Sequence, residues 1–396
     1  MRLTARPNWL SRKKAIAISV VLIATGAACG SSSSSKSLSS STTAKLDRAI
    51  PQALRQEGIP GAVVGFWSPR GNYVRAFGVA DTATGAPMRR NFYWPIGSIT
   101  KTFTVTAVLQ LVDQGKVSLD DPISKYQADV PNGDQITIRQ LARMQSGLYN
   151  YVDDPSFMEA TLSANPTNPY REWSPDELLQ IGLSHPPNFP PGTNWEYNNT
   201  NTVLLGFVVE KVTGQPLASY LQQNVLKPLH LDHTAFPSPY QLPDPHAQGY
   251  YATTGQGPPV NTTGWSLSWG WAAGVMTSTL NDMHTWAPAL AKGTLLKPST
   301  QAQRLQTVPT APGGSLYGLA IQNYSPGWLG HGGEFPGGNP IELYLPSQQT
   351  TLVIFANSYP GSKDPGRLPA VVLANLVTKI ITPGHVIFPG LPALEG

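Results

Sequence analysis

Two pairs of predicted β-strands lie at opposite ends of this 396-residue chain. Residues 62–67 and 73–79 form the first pair, and residues 341–345 and 350–357 form the second. Both pairs are rich in β-branched and aromatic residues, and a short turn divides each of them. A strand pair is not stable alone and needs further strands or a helix against its apolar face. We therefore predict one sheet that is built from both ends of the chain, with the central residues inserted between them.

Helical periodicity accounts for much of the remaining sequence. The apolar pattern that follows residue 98 repeats every three to four residues and ends at Gly115, which is typical of a helix that buries one face. Further helices are predicted at residues 46–56, 136–144, 176–183, 202–212, 217–225 and 368–380. The elements together predict a fold of the α/β (α+β) class, in which one sheet from both chain ends has a helical region inserted.

The first 28 residues have the pattern of a secretory signal peptide. Five basic residues between Arg2 and Lys14 precede an apolar stretch that is too short to span a bilayer. Cys29, the single cysteine of the chain, follows directly, and a serine-rich segment comes after it. The four residues that end at Cys29 resemble a bacterial lipobox, in which the cysteine becomes the lipidated N-terminus, although Gly26 stands where a leucine is usual. A plain secretory leader is the alternative.

Removal of this leader changes the charge balance of the chain. The whole chain has 27 basic and 23 acidic residues, and 22 basic residues remain without the five in the leader. The mature chain is thus nearly neutral, which gives no support to a nucleic-acid partner. We expect residues 1–28 to be the signal peptide, 29–45 a lipidated cysteine and flexible tether, 46–382 the folded domain and 383–396 a C-terminal tail. The expected location is extracytoplasmic, on the cell membrane through a lipid anchor, with secretion as the alternative.

Ser98 and Lys101 stand three residues apart at the start of the predicted helix. Residues at positions i and i+3 share a helix face, so the hydroxyl and the amine can meet. A serine hydroxyl needs a base to become a nucleophile, and a lysine serves as that base when burial lowers its pKa. Alone the pattern is weak evidence, because Ser98 would also serve as an ordinary helix N-cap.

Two later stretches carry further candidate site residues. Tyr197 and Asn199 lie two residues apart in a loop before a predicted helix, where a tyrosinate near a lysine ammonium could relay a proton and an amide can hold a substrate carbonyl. His331 is followed by Gly332 and Gly333, directly before the third predicted strand. Glycines let backbone N–H groups approach a ligand closely, and a histidine can carry a positive charge towards a carboxylate.

These three motifs, in this order and at this spacing, resemble those of the penicillin-recognising serine hydrolases. That superfamily comprises class C β-lactamases, D-alanyl-D-alanine carboxypeptidases and related esterases, and it has a sibling S-x-x-K, S-D-N and K-T-G set. The resemblance extends from residue 59 to about residue 380. It implies an antiparallel sheet flanked by helices, with an all-helical subdomain inserted at about residues 120–310. Supporting stretches are Ile59-Pro60-Gly61, Leu119-Asp120-Asp121-Pro122, Ser146-Gly147-Leu148, Pro191-Gly192 and Ala273-Gly274.

The resemblance implies catalytic roles for three residues. Ser98 would form the acyl-enzyme, while Lys101 and Tyr197 would share the general-base and proton-relay work. The backbone N–H groups of Ser98 and Glu334 would form the oxyanion hole. No metal and no cofactor are expected.

The resemblance also implies substrate contacts. Asn199 would orient the substrate amide, and Gly333 would line the substrate site. His331 would take the place of the lysine that class C β-lactamases usually carry in the third motif. This difference favours a carboxypeptidase or an esterase over a β-lactamase.

Other interpretations of the sequence are weaker. An α/β-hydrolase requires a G-x-S-x-G turn, which the stretch around Ser315 misses by one residue. His230 and His233 have a metal-ligand spacing but no carboxylate motif nearby. A penicillin-binding or cell-wall sensor that acylates once and does not turn over remains open.

We therefore expect a serine hydrolase of the cell envelope. Its predicted substrate is a peptidoglycan-type D-alanyl peptide, a β-lactam or a small ester. The carboxypeptidase-type activity is placed first, with a carboxylesterase and the sensor as alternatives. The oligomeric state is left open.

The lone cysteine gives a prediction about the membrane anchor. Replacing Cys29→Ser removes the thiol that would carry the lipid, and a serine at this place cannot be acylated in the same way. We expect the variant to move from the membrane fraction to the soluble extracytoplasmic fraction. The measurement is immunoblotting of both fractions. A variant that stays wholly in the membrane fraction would exclude lipidation as the anchor.

Overall fold

Strands from both ends of the chain pair into one antiparallel sheet, as the sequence predicts. The computed structural model describes residues 36–163, 165–251, 258–310, 314–324, 327–359 and 367–389. Within these residues the strands, in chain order, are β1 Gly61–Trp67, β2 Tyr73–Gly78, β3 Tyr93–Pro95, β4 Tyr250–Tyr251, β5 Val260–Asn261, β6 Thr277–Thr279, β7 Val308–Pro309, β8 Leu316–Tyr317, β9 Gln322–Tyr324, β10 Trp328–Gly332, β11 Asn339–Leu345, β12 Thr350–Ala356 and β13 Ser358–Tyr359. In the described part of the chain the main sheet has eight strands, in the order β2-β1-β12-β11-β10-β9-β8-β7. The contact between the two ends is the β1–β12 pair, in which Ala62 lies opposite Ala356.

Strand β12 shows why the sheet has a core on each face. Leu352 and Ile354 point to one side of the strand, and Val353 and Phe355 point to the other. All four side chains are buried, because consecutive residues of a strand alternate between faces and both faces are covered. A nearly continuous apolar run is the expected pattern for a strand in this position.

Helices cover both faces of the sheet. Those in the described residues are α1 Ser40–Glu57, α2 Thr100–Asp113, α3 Ile138–Ala142, α4 Pro155–Phe157, α5 Pro175–Ser184, α6 Asn199–Thr213, α7 Leu217–Leu221, α8 Trp271–Gly274, α9 Leu280–Lys292, α10 Pro298–Arg304 and α11 Pro369–Ile381. Leu46 and Ile50 of α1 and Leu373 of α11 share one core with the sheet. Helix α2 and the helices that follow it contribute to the core on the opposite face.

Helix α1 corrects the predicted boundary between tether and domain. The prediction placed residues up to 45 in a flexible tether, but the helix begins at Ser40. Ser39 caps it by accepting a hydrogen bond from the backbone N–H of Thr42 at 3.2 Å. A serine run favours a tether by composition, yet a serine is also a good N-cap, and here the cap precedes the apolar helix face.

The inserted region is not entirely helical, so that part of the prediction is wrong. Residues 120–310 contain the short strands β4, β5, β6 and β7. Tyr250 of β4 pairs in parallel with Ser358 of β13, and Ser278 of β6 pairs with Trp94 of β3. Strands of two or three residues are too short for an alternating pattern to be visible in the sequence.

Several predicted features lie at or beyond the edges of the described residues. The signal peptide, Cys29 and most of the tether precede residue 36, so the lipid anchor stays a prediction. No helix in the described ranges is long and apolar enough to cross a membrane. The predicted tail is partly packed, since Ile387 is buried and Trp328 donates a hydrogen bond to the carbonyl of His385 at 2.8 Å.

Glu342 is a buried carboxyl group in the middle of the main sheet. It lies on β11 directly opposite His331, and none of its surface is exposed. Neither carboxyl oxygen has a hydrogen bond of normal length among the described residues. Burial therefore raises the pKa of Glu342 well above its ordinary value, although the nearby backbone N–H of His331 offsets part of that effect.

This burial makes the stability of the fold depend on pH. A group whose pKa is raised by folding binds its proton more tightly in the folded state, so its contribution to stability is lost as pH rises from about 4.3 towards the folded pKa. We expect the wild-type free energy of unfolding to fall by up to about 1.4 kcal/mol per pH unit in that interval because of this group. Glu342→Gln should lack this decline, as measured by urea denaturation at pH 5 and pH 8.

A matched control is Glu159→Gln, which changes an exposed glutamate. It should leave the pH dependence of wild type in place. If Glu342→Gln and wild type lose stability equally between the two pH values, Glu342 is not protonated in the folded protein.

Candidate active site

The nucleophile turn connects strand β3 to helix α2. Residues Gly97–Ile99 form a single 3₁₀ turn, and Thr100 begins the α-helix. The residue at the N-cap position of α2 is Ile99, and it makes no side-chain cap. Ser98 is therefore not the helix cap that its sequence position allows, and its hydroxyl is directed at Lys101 instead.

Helix α2 is buried on nearly every side rather than on the one face that the periodicity predicts. Its buried residues run from Thr100 to Leu109 without interruption. The polar side chains among them are satisfied by backbone carbonyls: Thr102 donates to Ile99 at 2.7 Å, and Thr104 donates to Ala272 at 2.7 Å. The helix can lie between the sheet and the helical region because these threonines are locally paired.

Lys101 is fully buried, and its amine has three close contacts within the described residues. Its Nζ lies 3.0 Å from Ser98 Oγ, 2.7 Å from Asn199 Oδ1 and 2.9 Å from the carbonyl oxygen of Ala273. Burial lowers the pKa of Lys101 to about 7, and the charge of Glu334 opposes that shift. A neutral amine has two N–H donors and one lone pair. Asn199 and Ala273 take the donors, which leaves the lone pair directed at the Ser98 hydroxyl.

Asn199 is held in place by a second asparagine. It is the first residue of α6, and Asn150 accepts its backbone N–H at 2.9 Å. The Asn150 side-chain oxygen also lies 3.4 Å from the Asn199 amide nitrogen. Asn198 caps the helix by accepting the N–H of Thr200 at 2.9 Å. The Asn199 oxygen is consequently turned towards Lys101, so this residue positions the base as well as lining the cleft.

Tyr197 places a phenol hydroxyl beside the same amine. The ring centre of Tyr197 lies 4.8 Å from Lys101 Nζ, and its hydroxyl is buried. Burial raises the pKa of Tyr197 well above 10; the Ser98 hydroxyl lowers it in part without making a hydrogen bond of ordinary geometry. The phenol is therefore protonated at neutral pH. The tyrosinate role considered from the sequence is not supported, and Lys101 is left as the base.

Two glycines allow the predicted oxyanion donors to approach each other. Gly97 has φ +50°, and a Cβ atom there would lie 2.9 Å from the backbone nitrogen of Glu334. A Cβ at Gly333 would lie 2.2 Å from the carbonyl oxygen of Ile96. Only glycine fits at both positions, so the Ser98 and Glu334 N–H groups can face one space. Gly333 serves this packing and is not among the described residues that line the cleft, in contrast to the predicted substrate contact.

His331 does not have the cationic character that the sequence analysis gives it. It is 2% exposed on β10, and burial lowers its pKa to about 3. Its Nδ1 donates to the carbonyl of Gly332, and its Nε2 accepts a hydrogen bond from the hydroxyl of Tyr317 at 3.1 Å. The neutral imidazole reaches the cleft as a wall residue. It cannot attract a substrate carboxylate by charge.

The site opens into a cleft of about 550 Å³. Its walls are largely apolar and aromatic, and the described lining residues include Val152, Leu162, Trp195, Trp269, Tyr324, Ile341, Leu368, Val371, Val372 and Phe388. Ser98, Tyr197 and Asn199 lie at its base, and the side chain of Glu334 reaches solvent through it. A pocket of this kind accepts a small apolar or aromatic substrate and orients it with few polar groups.

Sequence reasoning missed three groups that complete the site. Asn150 follows the recognised Ser146–Leu148 stretch, and the Ala273 carbonyl lies in a stretch that was noted without a role. Tyr317 orients His331, and no motif marks it. A backbone carbonyl is present at every residue, and a side chain that only positions another side chain belongs to no recognised motif. The roles of these three groups are therefore visible only in the structure.

The chain is similar in sequence to a known protein family and to several of its members. A family model described as Beta-lactamase matches residues 46–376. The chain is 26% identical over 273 residues to the putative penicillin-binding protein PbpX of Bacillus subtilis (strain 168), covering 69% of this chain and 63% of the relative. It is 34% identical over 209 residues to the esterase EstB of Burkholderia gladioli, covering 50% of this chain and 53% of the relative. The chain therefore spans less than two thirds of the length of either relative.

A solved structure resembles most of the fold. The D-stereospecific amidohydrolase from Streptomyces sp. has a TM-score of 0.76 and 30% sequence identity, over 86% of this chain and 99% of that chain. The family model spans most of the chain and includes all three motifs. The protein therefore belongs to the beta-lactamase family.

Proposed function

We propose that the protein is a serine hydrolase that cleaves a small amide or ester through an acyl-enzyme on Ser98. The contact of Ser98 Oγ with the buried amine of Lys101, at 3.0 Å, is the observation that carries this proposal. A lysine with a pKa of about 7 is half deprotonated at neutral pH, which is the condition for a general base. The family membership and the names of the relatives support the same reaction class.

The geometry supports a simple sequence of proton transfers. Lys101 takes the proton of Ser98 as Oγ attacks the carbonyl carbon of the substrate, and the carbonyl oxygen becomes negative between the Ser98 and Glu334 N–H groups. The phenol of Tyr197 lies beside Lys101; it passes its proton to the leaving group and is reprotonated by Lys101, which becomes the neutral amine again. Lys101 then takes a proton from the water molecule that attacks the acyl-enzyme, and it returns this proton to Ser98 Oγ as the acid leaves.

The electrostatics favour neutral amides and esters over peptides with a free C-terminal carboxylate. His331 is neutral, and Gly332 beside it has no side chain to donate a hydrogen bond. The Arg367 guanidinium lines the cleft but pairs with Glu57 at 3.1 Å. The amidase or esterase reaction thus has better support from the charges of the cleft than the carboxypeptidase reaction, which was placed first on sequence.

The nucleophile is tested by covalent labelling. We expect Ser98→Ala to abolish labelling by a fluorescent fluorophosphonate and turnover of a neutral p-nitrophenyl ester, because no other serine among the described lining residues has a lysine beside it. Ser315→Ala is the matched control, since Ser315 lines the same cleft without such a partner. In-gel fluorescence and thermal unfolding of both variants provide the measurement.

The outcome also separates the hydrolase from the sensor. Labelling that survives Ser98→Ala would exclude Ser98 as the nucleophile. An adduct of wild type with penicillin that persists in time-resolved mass spectrometry, without any ester or amide turnover, would favour the sensor. A panel of an amino acid amide, a D-alanyl-D-alanine tripeptide and nitrocefin then ranks the substrate classes.

The base is tested by the pH dependence of acylation. Below its pKa Lys101 is protonated and cannot accept the Ser98 proton, so the rate of fluorophosphonate labelling should rise about tenfold per pH unit at low pH. We expect it to level off above about pH 7, where the amine is neutral. Second-order labelling rates from pH 5 to 9 measure this. A rate that still climbs at pH 9 would show that Lys101 stays protonated.

A further inference from the structure

The side chain of Glu334 places a carboxylate in the substrate cleft. Its backbone nitrogen adjoins the nucleophile turn, because Gly97 and Glu334 pack without room for a Cβ between them. Its side chain lines the same cleft as Ser98 and is exposed there. Any substrate that reaches the Ser98 hydroxyl therefore passes close to this carboxylate.

Groups from four other parts of the chain face Glu334. Burial raises the pKa of Glu334, while a hydrogen bond from the Tyr359 hydroxyl and the charge of Lys101 lower it in part. The charge of Glu334 also raises the pKa values of Tyr197 and Tyr324. These three phenols are neutral at working pH, and Lys101 is only partly charged. Ionised Glu334 therefore has no full positive charge against it among these groups.

The other charged group among the described lining residues does not cancel the charge of Glu334. Arg367 is paired with Glu57, whose side chain is 6% exposed. The negative charge of Glu57 therefore balances the positive charge of Arg367. His331 carries no charge at neutral pH. The net potential that a ligand meets is negative, and potentials of this kind raise the local concentration of cations and repel anions.

We propose that Glu334 is a specificity-determining residue that selects substrates by charge, favouring those with an ammonium group near the scissile bond and rejecting those with a carboxylate there. This inference rests on the proposed hydrolase function and adds the substrate class. An amine-bearing amide or ester fits the cleft, and the carboxylates of β-lactams and C-terminal peptides do not. Like charges placed together at a binding site are a recognised means of rejecting wrong partners.

A role in folding or in the oxyanion hole makes different predictions. The oxyanion donor is the backbone N–H of Glu334, which a side-chain substitution leaves in place. The Glu334 side chain is exposed, so replacing its carboxylate with an amide of the same shape should not destabilise the fold. Glu334→Gln therefore changes the charge alone, and it preserves a hydrogen-bond acceptor for Tyr359.

The experiment compares three aryl acetates that differ in one meta substituent: trimethylammonio, tert-butyl or carboxylate. For each protein we take the ratio of kcat/KM for the cationic ester to kcat/KM for the anionic ester. Dividing the ratio of a variant by that of wild type cancels the difference in chemical reactivity between the two esters. We expect Glu334→Gln to lower this ratio on the order of tenfold at low salt, and the wild-type preference to shrink as salt is added. Glu334→Lys should reverse the preference.

The matched control is Glu196→Gln, which removes a carboxylate beside Tyr197 in sequence that is not among the described lining residues. It should leave the ratio unchanged. A second readout is the pH profile of labelling: because the Glu334 charge raises the pKa of Lys101, Glu334→Gln should move the midpoint to lower pH. A structural residue would change neither quantity in this direction.

The outcomes are distinguishable. An unchanged charge ratio in both Glu334 variants, with the neutral tert-butyl ester still turned over, overturns this proposal and leaves the hydrolase function standing. Equal loss of activity on all three esters assigns Glu334 a structural role and also overturns it. Absence of turnover by wild type of all three esters and of the amino acid amide would refute the hydrolase proposal and this one together.

Discussion

The removal of one amine from water is the condition on which the rest of the site depends. An ammonium group loses its hydration when it is buried, and the protein replaces that hydration at Lys101 with an amide oxygen and one carbonyl. This requires a helix that is covered on all sides, which explains why α2 lies between the sheet and the helical region. It also requires Asn199 and Ala273 to be fixed, and they lie in two different helices, α6 and α8. The packing of three separate segments thus determines the basicity of one side chain.

Much of this arrangement is predictable from the sequence, because it follows from local periodicity. The strands at both ends, their common sheet and the helix after Ser98 are confirmed within a few residues. Ser98, Lys101, Tyr197 and Asn199 converge as their spacing and the family resemblance imply. Such features depend on residue type at fixed intervals, and the sequence displays those directly.

The protonation states and the finest packing are not predictable in this way. His331 was given a charge from its residue type, but its pKa depends on burial beneath Tyr317, which lies on another strand. The same holds for Tyr197, whose phenol keeps its proton because its hydroxyl is enclosed. Glu334 and Glu342 are only eight positions apart, yet one reaches solvent through the cleft and the other is buried in the sheet. Residue type is identical in the two cases, and the surroundings decide the chemistry.

The pairing of β1 with β12 has a consequence for the state in which the chain is reactive. Ala62 and Ala356 are neighbours in the sheet, and closing a loop of this length costs conformational entropy that the packed sheet has to offset. Without the packed fold, the amine of Lys101 is hydrated and charged, and the Ser98 hydroxyl has no base. The reactivity of Ser98 is therefore a property of the assembled fold and not of the first motif alone.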